Sequence, residues 1–342
     1  MNYVSAQGFG NNSPAPGEGA ERGRANDAAA REICLLTLNL GLPWLEMGGR
    51  WRVALAEHNQ ARLAAAPQLL SALDADVIAL QEVYSPADRR FLAQAMAARY
   101  PFCAQAVRSR SLLGNGLMLL SRFPIVRSAF LPCIGASWWL NPLWRQGFLL
   151  AEIELPGAGR TSLINVHLAA NLPFGDAEAT ASERNRTREI GQLLAAASAQ
   201  SSAAILIGDF NTSDQIYPAN YRRIIEAGYA DAFVAANGEV RDGDDTFTWD
   251  AANPVNGQGR FRHAPSQRID HVFVATARQP ALVPTSARVV LRDKSVRTAS
   301  GERVSLSDHY GMLVALTQQS GAREIQIPQE EKPPSAFYPS LR

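Results

Sequence analysis

Ala204-Ile205-Leu206-Ile207-Gly208-Asp209-Phe210-Asn211 runs from apolar residues into a glycine, a carboxylate and an amide. A short apolar run of this kind reads as a strand by length and composition, with polar chemistry at its end. The pattern recurs. Leu36-Thr37-Leu38-Asn39, Val77-Ile78-Ala79-Leu80-Gln81-Glu82-Val83 and Ile164-Asn165-Val166-His167 each carry an amide, a carboxylate or an imidazole after apolar residues. Ser307-Asp308-His309 adds a carboxylate and an imidazole, and Arg268-Ile269-Asp270-His271 opens a further run.

Working outward, length and composition predict strands over 33–40, 77–80, 116–121, 148–155, 162–167, 204–207, 268–274 and 312–316. Helical stretches fall at 52–73, 86–99, 177–199 and 219–226, with Pro67 expected to break or restart the first. Strands near both ends and in the middle, with helices interspersed, predict a layered α/β sandwich. Residues 1–30 are rich in Gly, Asn, Ser, Pro and Ala without apolar periodicity and read as a disordered tail. Residues 319–342 read as a second loose tail, which leaves 31–318 as one domain.

The 342 residues carry 33 Lys plus Arg against 32 Asp plus Glu, so no global charge attracts nucleic acid or an acidic membrane. With 46% hydrophobic and 19% charged residues, wholesale disorder and coiled-coil architecture are excluded. Lys294 and Lys332 are the only lysines, which removes that residue from almost every role. Cys34, Cys103 and Cys133 lack metal or disulfide spacing and fit a reducing compartment. Neither a conventional signal peptide nor a transmembrane run is apparent, so the expectation is a cytoplasmic protein or one peripheral to a membrane.

Taken singly, these polar strand ends have ordinary readings. Asp-x-Asn is turn chemistry, a glutamate after a strand is a solvated end, and an Asp-His pair is surface. Together and in this order they resemble the endonuclease/exonuclease/phosphatase superfamily of metal-dependent phosphoesterases over roughly residues 33–317. The motifs that carry the resemblance are Asn39, Gln81-Glu82, His167, Gly208-Asp209-Phe210-Asn211, Ile269-Asp270-His271-Val272 and Ser307-Asp308-His309. The resemblance implies a DNase I-like, four-layer α/β sandwich, with two packed, mainly antiparallel sheets flanked by helices.

It also implies roles. Glu82 is the leading ligand for Mg2+ (or Mn2+), assisted by the amide oxygen of Asn39 and by Asp308. His309 is the general base and Asp270 orients it. His167 bonds a phosphate oxygen or the leaving group. Asp209 and Asn211, two apart in an extended segment, point the same way to polarise water and contact phosphate. Arg145 stands where many family members have a Lys-Gly pair, which leaves a phosphate contact there in doubt, and His271 where they often have an aromatic.

For the substrate, Leu42-Pro43, Tyr100-Pro101, Gly114-Asn115-Gly116-Leu117 and Ser121-Arg122-Phe123-Pro124-Ile125 resemble neutral sphingomyelinase segments. Val166-His167-Leu168-Ala169-Ala170 is similar to that branch's Thr-His-Leu-His-Ala, with two replacements. Trp138, Trp139 and Trp144, around Asn141-Pro142, read either as an exposed turn touching lipid or as a hairpin tucked under its neighbours. A phospholipid head group is therefore the first substrate expectation. The alternatives are a Mg-dependent nuclease acting on DNA or RNA and a non-catalytic protein that retains the fold. A nuclease would draw on Arg108, Arg110, Arg260 and Arg262, with Arg184 to Arg188 reading as a solvated helix face. Oligomeric state is not encoded.

Overall fold

The apolar runs become strands whose two faces meet different neighbours. A computed structural model describes residues 32–47, 51–54, 56–105, 115–135, 146–170, 176–238, 245–256, 264–277 and 282–318, so both expected tails lie outside the described residues. In chain order the elements begin β1 (Ile33–Leu42), β2 (Trp44–Met47), β3 (Trp51–Ala54), α1 (Asn59–Ala72), β4 (Val77–Val83), α2 (Pro86–Ala95), β5 (Phe102–Gln105) and β6 (Met118–Ser121). They continue with β7 (Ile125–Pro132), β8 (Gly147–Leu155), β9 (Gly159–His167), α3 (Asp176–Ser198), β10 (Ala204–Asp209), α4 (Pro218–Glu226), β11 (Tyr229–Asp231) and α5 (Ala232–Asn237). The last are β12 (Asp270–Ala275), β13 (Leu282–Val290), β14 (Val296–Arg297), β15 (Arg303–Val304) and β16 (Gly311–Gln318).

Two six-stranded sheets form, ordered β13-β16-β1-β4-β6-β5 and β11-β12-β10-β9-β8-β7. The pairs β1 with β4 and β9 with β10 are parallel, and the remaining pairs within the two sheets are antiparallel. Side chains alternate across each strand, so one row of each sheet faces the other sheet and one row faces helices. Leu35, Val77, Ala79, Ile205, Ile207, Val272, Val274 and Val314 fill the space between the sheets. Leu36, Leu38, Ile78 and Leu80 pack outward on Ala66 and Leu70 of α1 and Leu92 of α2. Ile164, Leu206 and Phe273 pack on Ile190 and Leu193 of α3 and Ile224 of α4. The layers are thus helix, sheet, sheet, helix. Burial of each such Leu, Ile, Val or Phe side chain contributes about 1.5–3 kcal/mol, which is why both faces of the central strands read as apolar.

Several local expectations needed correction. Residues 51–54 pair with 44–47 as a hairpin, and the helix expected from 52 starts at Asn59. Pro67 lies inside α1, which runs through it. The neighbouring Ala66 and Leu70 are fully buried against the sheet, and that packing offsets a proline cost of about 3 kcal/mol. The second helix stops at Ala95, short of the expected 99. It starts where it does because Ser85 Oγ accepts from the Ala87 N–H at 3.1 Å and Pro86 opens the first turn. Arg186, expected on a solvated face, is fully buried, with its guanidinium over the Tyr217 ring and Nη1 donating to the Ala169 carbonyl. The edge strands β5, β7, β11 and β13 were not anticipated, because polar residues interrupt their apolar runs.

Candidate active site

The inward rows of the two sheets end in polar residues, and those ends meet. Asn39 continues the row of Leu35, Asp209 that of Ile205 and Ile207, and Asp270 that of Val272 and Val274. Asn39 spans the gap: its Nδ2 donates to Glu82 Oε1 at 3.1 Å in its own sheet and to Asp209 Oδ2 at 3.0 Å in the other. A bulge makes this possible. Asn39 pairs with Gln81 and Leu42 with Val83, so Leu40 and Gly41 stand opposite Glu82 alone. Gly41 has φ +55°, and a Cβ there would come within 2.2 Å of Asp308 Oδ1. Glu82 itself sits at φ 56°, a left-handed conformation that costs a non-glycine residue on the order of 1 kcal/mol or more.

Gly208 brings Asp209 into place. Its φ is +141° and a Cβ would lie 2.1 Å from the Val166 carbonyl oxygen, so a side chain there would force β10 away from β9. Asp209 Oδ1 accepts from the Asn211 N–H at 3.0 Å, and Asn211 lies at φ 50°. The expectation that Asp209 and Asn211 share an extended segment is therefore corrected, because the chain turns at Asn211. The Asn211 Nδ2 donates to the Leu168 carbonyl at 2.9 Å, tying this turn to the residue after His167. Asn39 also differs from expectation in its orientation. Its Oδ1 accepts from the Gly41 N–H at 3.1 Å, and the amide nitrogen faces the carboxylates.

His309 is buried and held from both sides. Its Nδ1 lies 2.9 Å from Asp270 Oδ2, and its N–H donates to Ser307 Oγ at 3.1 Å. Ser307 Oγ in turn donates to the Asn39 carbonyl at 2.5 Å, linking the Ser307-Asp308-His309 segment to β1. His309 Nε2 reaches to 3.8 Å from Asp209 Oδ2. His167 Nε2 stands 3.6 Å from Asp209 Oδ2 and 3.7 Å from Glu82 Oε1. Burial works to lower the His309 imidazole, but Asp270, by its charge and hydrogen bond, with Asp209 and Asp308, pushes it up to about 10. Desolvation raises Glu82, and the nearby Asp308 adds to that.

Asn39, Glu82, His167, Asp209, Asn211, Asp270, Asp308 and His309 thus come together. Arg145, Trp138, Trp139 and Trp144 lie outside the described residues, as do Arg108, Arg110, Arg260 and Arg262. Sequence reasoning missed Arg62. It is fully buried on α1, with Nη2 donating to the Leu40 carbonyl at 2.6 Å and Nε to the Leu306 carbonyl at 2.8 Å, so one side chain ties the bulge to the Asp308 segment. The signal was available: Arg62, Ala66 and Leu70 recur every four residues on the buried stripe of α1. Thr248 was also missed; its Oγ1 accepts from the Ile269 and Asp270 N–H groups, both at 3.0 Å.

The oxygen-rich donor set suits a hard divalent cation. Asp209, Asp270 and His309 place ligand atoms within 4.8 Å of one another, and Glu82 and Asp308 stand nearby. Within that trio, Asp270 Oδ2 and His309 Nδ1 are already paired with each other at 2.9 Å.

Comparison with known proteins gives the family model described as Endonuclease/Exonuclease/phosphatase family, matching residues 36–309. An inositol phosphosphingolipids phospholipase C of Saccharomyces cerevisiae is 31% identical over 174 residues, covering 48% of this chain and 35% of that protein. The chain therefore spans little more than a third of the length of that curated relative. Sphingomyelinase C from Streptomyces griseocarneus shares the fold at TM-score 0.58 and 21% identity, covering 83% of this chain and 99% of that one. TDP2 of D. rerio, complexed with a single strand DNA product, does so at TM-score 0.62 and 18% identity, covering 84% and 99%. Among the described residues no helix is long and apolar enough to cross a membrane.

Proposed function

The chain belongs to the Endonuclease/Exonuclease/phosphatase family, and from that premise we propose that it is a divalent-metal-dependent phosphodiesterase acting on a phospholipid head group. The observation that carries this reading is the His309 to Asp270 pair at 2.9 Å, with the other imidazole nitrogen turned toward Asp209 and the Asn39-Glu82 contact.

The residues divide the work as follows. Asp270 fixes the His309 ring so that Nε2 faces the reacting water and accepts its proton as the water oxygen bonds to phosphorus. The bond to the leaving oxygen breaks in line, and His167, facing the same space, donates to a phosphoryl or leaving oxygen. Asp209, buried and held by Asn39 and Asn211, orients the water. Glu82, with Asp308 and Asn39, would hold Mg2+ or Mn2+; ligation by the Asn39 oxygen would require its amide to turn away from Gly41. Such a cation, when bound, supplies Lewis-acid neutralisation of charge on the phosphate and the leaving group. Asp308, one of the charges that raise His309, would then be matched by the cation, which would move the ring toward a base able to act nearer neutral pH.

The phospholipid reading is supported by the relative named for phosphosphingolipids and by a fold shared with a sphingomyelinase C. The segment with Trp138, Trp139 and Trp144 is the proposed membrane contact. A second reading, a nuclease, is supported by the fold shared with a DNA-bound protein. The test is turnover of sphingomyelin, a lysophospholipid, plasmid DNA and abasic-site DNA with magnesium and with EDTA. We expect hydrolysis of sphingomyelin or the lysophospholipid that stops in EDTA and returns with magnesium or manganese. Cleavage of DNA alone would favour the second reading, and hydrolysis that resists chelation would overturn the metal assignment.

A further inference from the structure

Directly beneath the site, the apolar filling between the sheets is interrupted by Thr37 on β1, Gln81 on β4 and Asn165 on β9, all without exposed surface. Gln81 and Asn165 are joined across the gap, and Gln81 and Thr37 are joined within one sheet. Gln81 Nε2 donates to Asn165 Oδ1 at 2.7 Å and to Thr37 Oγ1 at 3.1 Å. Asn165 Nδ2 donates in the opposite direction, to the carbonyls of Leu80 at 3.0 Å and Met118 at 3.1 Å in the facing sheet. Each of the three precedes a site residue on its own strand: Thr37 by two positions before Asn39, Gln81 by one before Glu82, Asn165 by two before His167.

This placement matters because the site is built from two halves. Asn39 and Glu82 lie on strands of one sheet and the Ser307-Asp308-His309 segment leads into β16 of that sheet, while His167, Asp209 and Asp270 lie on strands of the other. Apolar contacts between sheets are non-directional and tolerate sliding, whereas hydrogen bonds of 2.7–3.1 Å do not. Burying two amides and a hydroxyl contributes little net stability against an apolar filling of the same shape, since each gives up its bonds to water. What the layer adds is direction. We propose that Thr37, Gln81 and Asn165 are positioning residues, an inter-sheet hydrogen-bonded layer that sets the register in which the two halves of the site meet. The proposal deepens the phosphodiesterase reading and rests on it for its kinetic consequence, because a misplacement of reacting groups by about 1 Å can cost on the order of 100-fold in rate.

The test replaces the whole layer with apolar residues of similar volume, Thr37→Val, Gln81→Met and Asn165→Leu together, so that neither buried amide is left half-bonded. Thermal unfolding, turnover with magnesium and a crystal structure are measured against the wild type. We expect the melting temperature to stay within about 5 °C, turnover to fall at least about tenfold, and the Asn39 Nδ2 to Asp209 Oδ2 contact of 3.0 Å to be lost. Should the triple variant not fold, Gln81→Asn, which keeps an amide but shortens its reach, carries the same expectations. Thr37→Ser, which keeps the hydroxyl, retains wild-type turnover. A fall of less than tenfold, or an intact Asn39 to Asp209 contact, in the variant that folds overturns the proposal. If the wild type hydrolyses none of the phosphodiesters, the functional reading fails instead, and the Asn39 to Asp209 contact alone decides the positioning claim.

Discussion

Asp270 and His271 are successive residues of β12 and point to opposite faces of the sheet, and each belongs to a buried His-Asp pair. Between the sheets, Asp270 Oδ2 meets His309 Nδ1 at 2.9 Å. Under the helices, His271 Nδ1 meets Asp231 Oδ2 at 3.0 Å. The two pairs differ in what surrounds them. His271 Nε2 donates to the Thr212 carbonyl at 2.9 Å, and its ring stacks on Phe273 and stands edge to face with Phe210. Asp231 Oδ2 also accepts from Arg268 Nη1 at 2.6 Å and from the Tyr221 hydroxyl at 3.0 Å. Every nitrogen and charge in that pair is matched. His309 Nε2 has no partner within hydrogen-bonding distance among the described residues, and it faces Asp209 at 3.8 Å. A His-Asp pair is therefore not itself a mark of catalysis; what sets His309 apart is an imidazole nitrogen left unspent and aimed at a cluster of charge.

That contrast can be broken most severely at Asp209. Asp209→Ala removes the charge both site histidines face, and turnover should fall by about 10³-fold or more with the fold intact, as checked by circular dichroism alongside the assay. Next comes Asp270→Asn, which keeps the shape but not the charge that orients His309; kcat should fall by about 10²-fold with little change in KM. On the structural side the effect should appear in stability instead of rate. Asp231→Asn leaves Arg268 buried beside a neutral partner and should cost about 3–5 kcal/mol in urea unfolding.

The same variant carries a pH signature. Burial alone would raise Asp231, but Arg268 and His271 hold its carboxyl far below the usual carboxylate range. Asp231 is then charged in the folded protein where it is already protonated in the unfolded chain. Its share of stability is complete above about pH 4 and drains away as pH falls toward the folded value, so Asp231→Asn should narrow its stability gap to wild type in acid. Smallest is His271→Phe, which keeps the aromatic stack but gives up two hydrogen bonds. It should cost about 1–3 kcal/mol in the same unfolding measurement while turnover stays within a few-fold of wild type.

The two pairs were not equally legible in the sequence. His309 and Asp270 could be named because they stand at polar strand ends with a family order around them. His271 registered only as a departure from an aromatic position, and Asp231 not at all, since nothing in Tyr229-Ala230-Asp231 marks it as the partner of a residue forty positions on. The layered fold was legible because β1, β4, β9, β10 and β12 are buried on both faces and read as apolar runs. The edge strands β7 and β13 were not, because their solvent-facing positions carry Arg127, Thr285 and Arg288 and dilute the pattern. Glu82 was identified by its place at the polar end of an apolar run, but its left-handed backbone depends on the bulge at Leu40-Gly41, a property of strand pairing that local sequence does not express.

The most direct test of the account is His309→Ala beside His271→Ala, each purified and measured for unfolding and for turnover of a phosphodiester with magnesium. The account predicts that His309→Ala stays folded and loses about 10²–10⁴-fold in turnover, while His271→Ala loses stability and keeps turnover within tenfold. Turnover by His309→Ala within tenfold of wild type would contradict it.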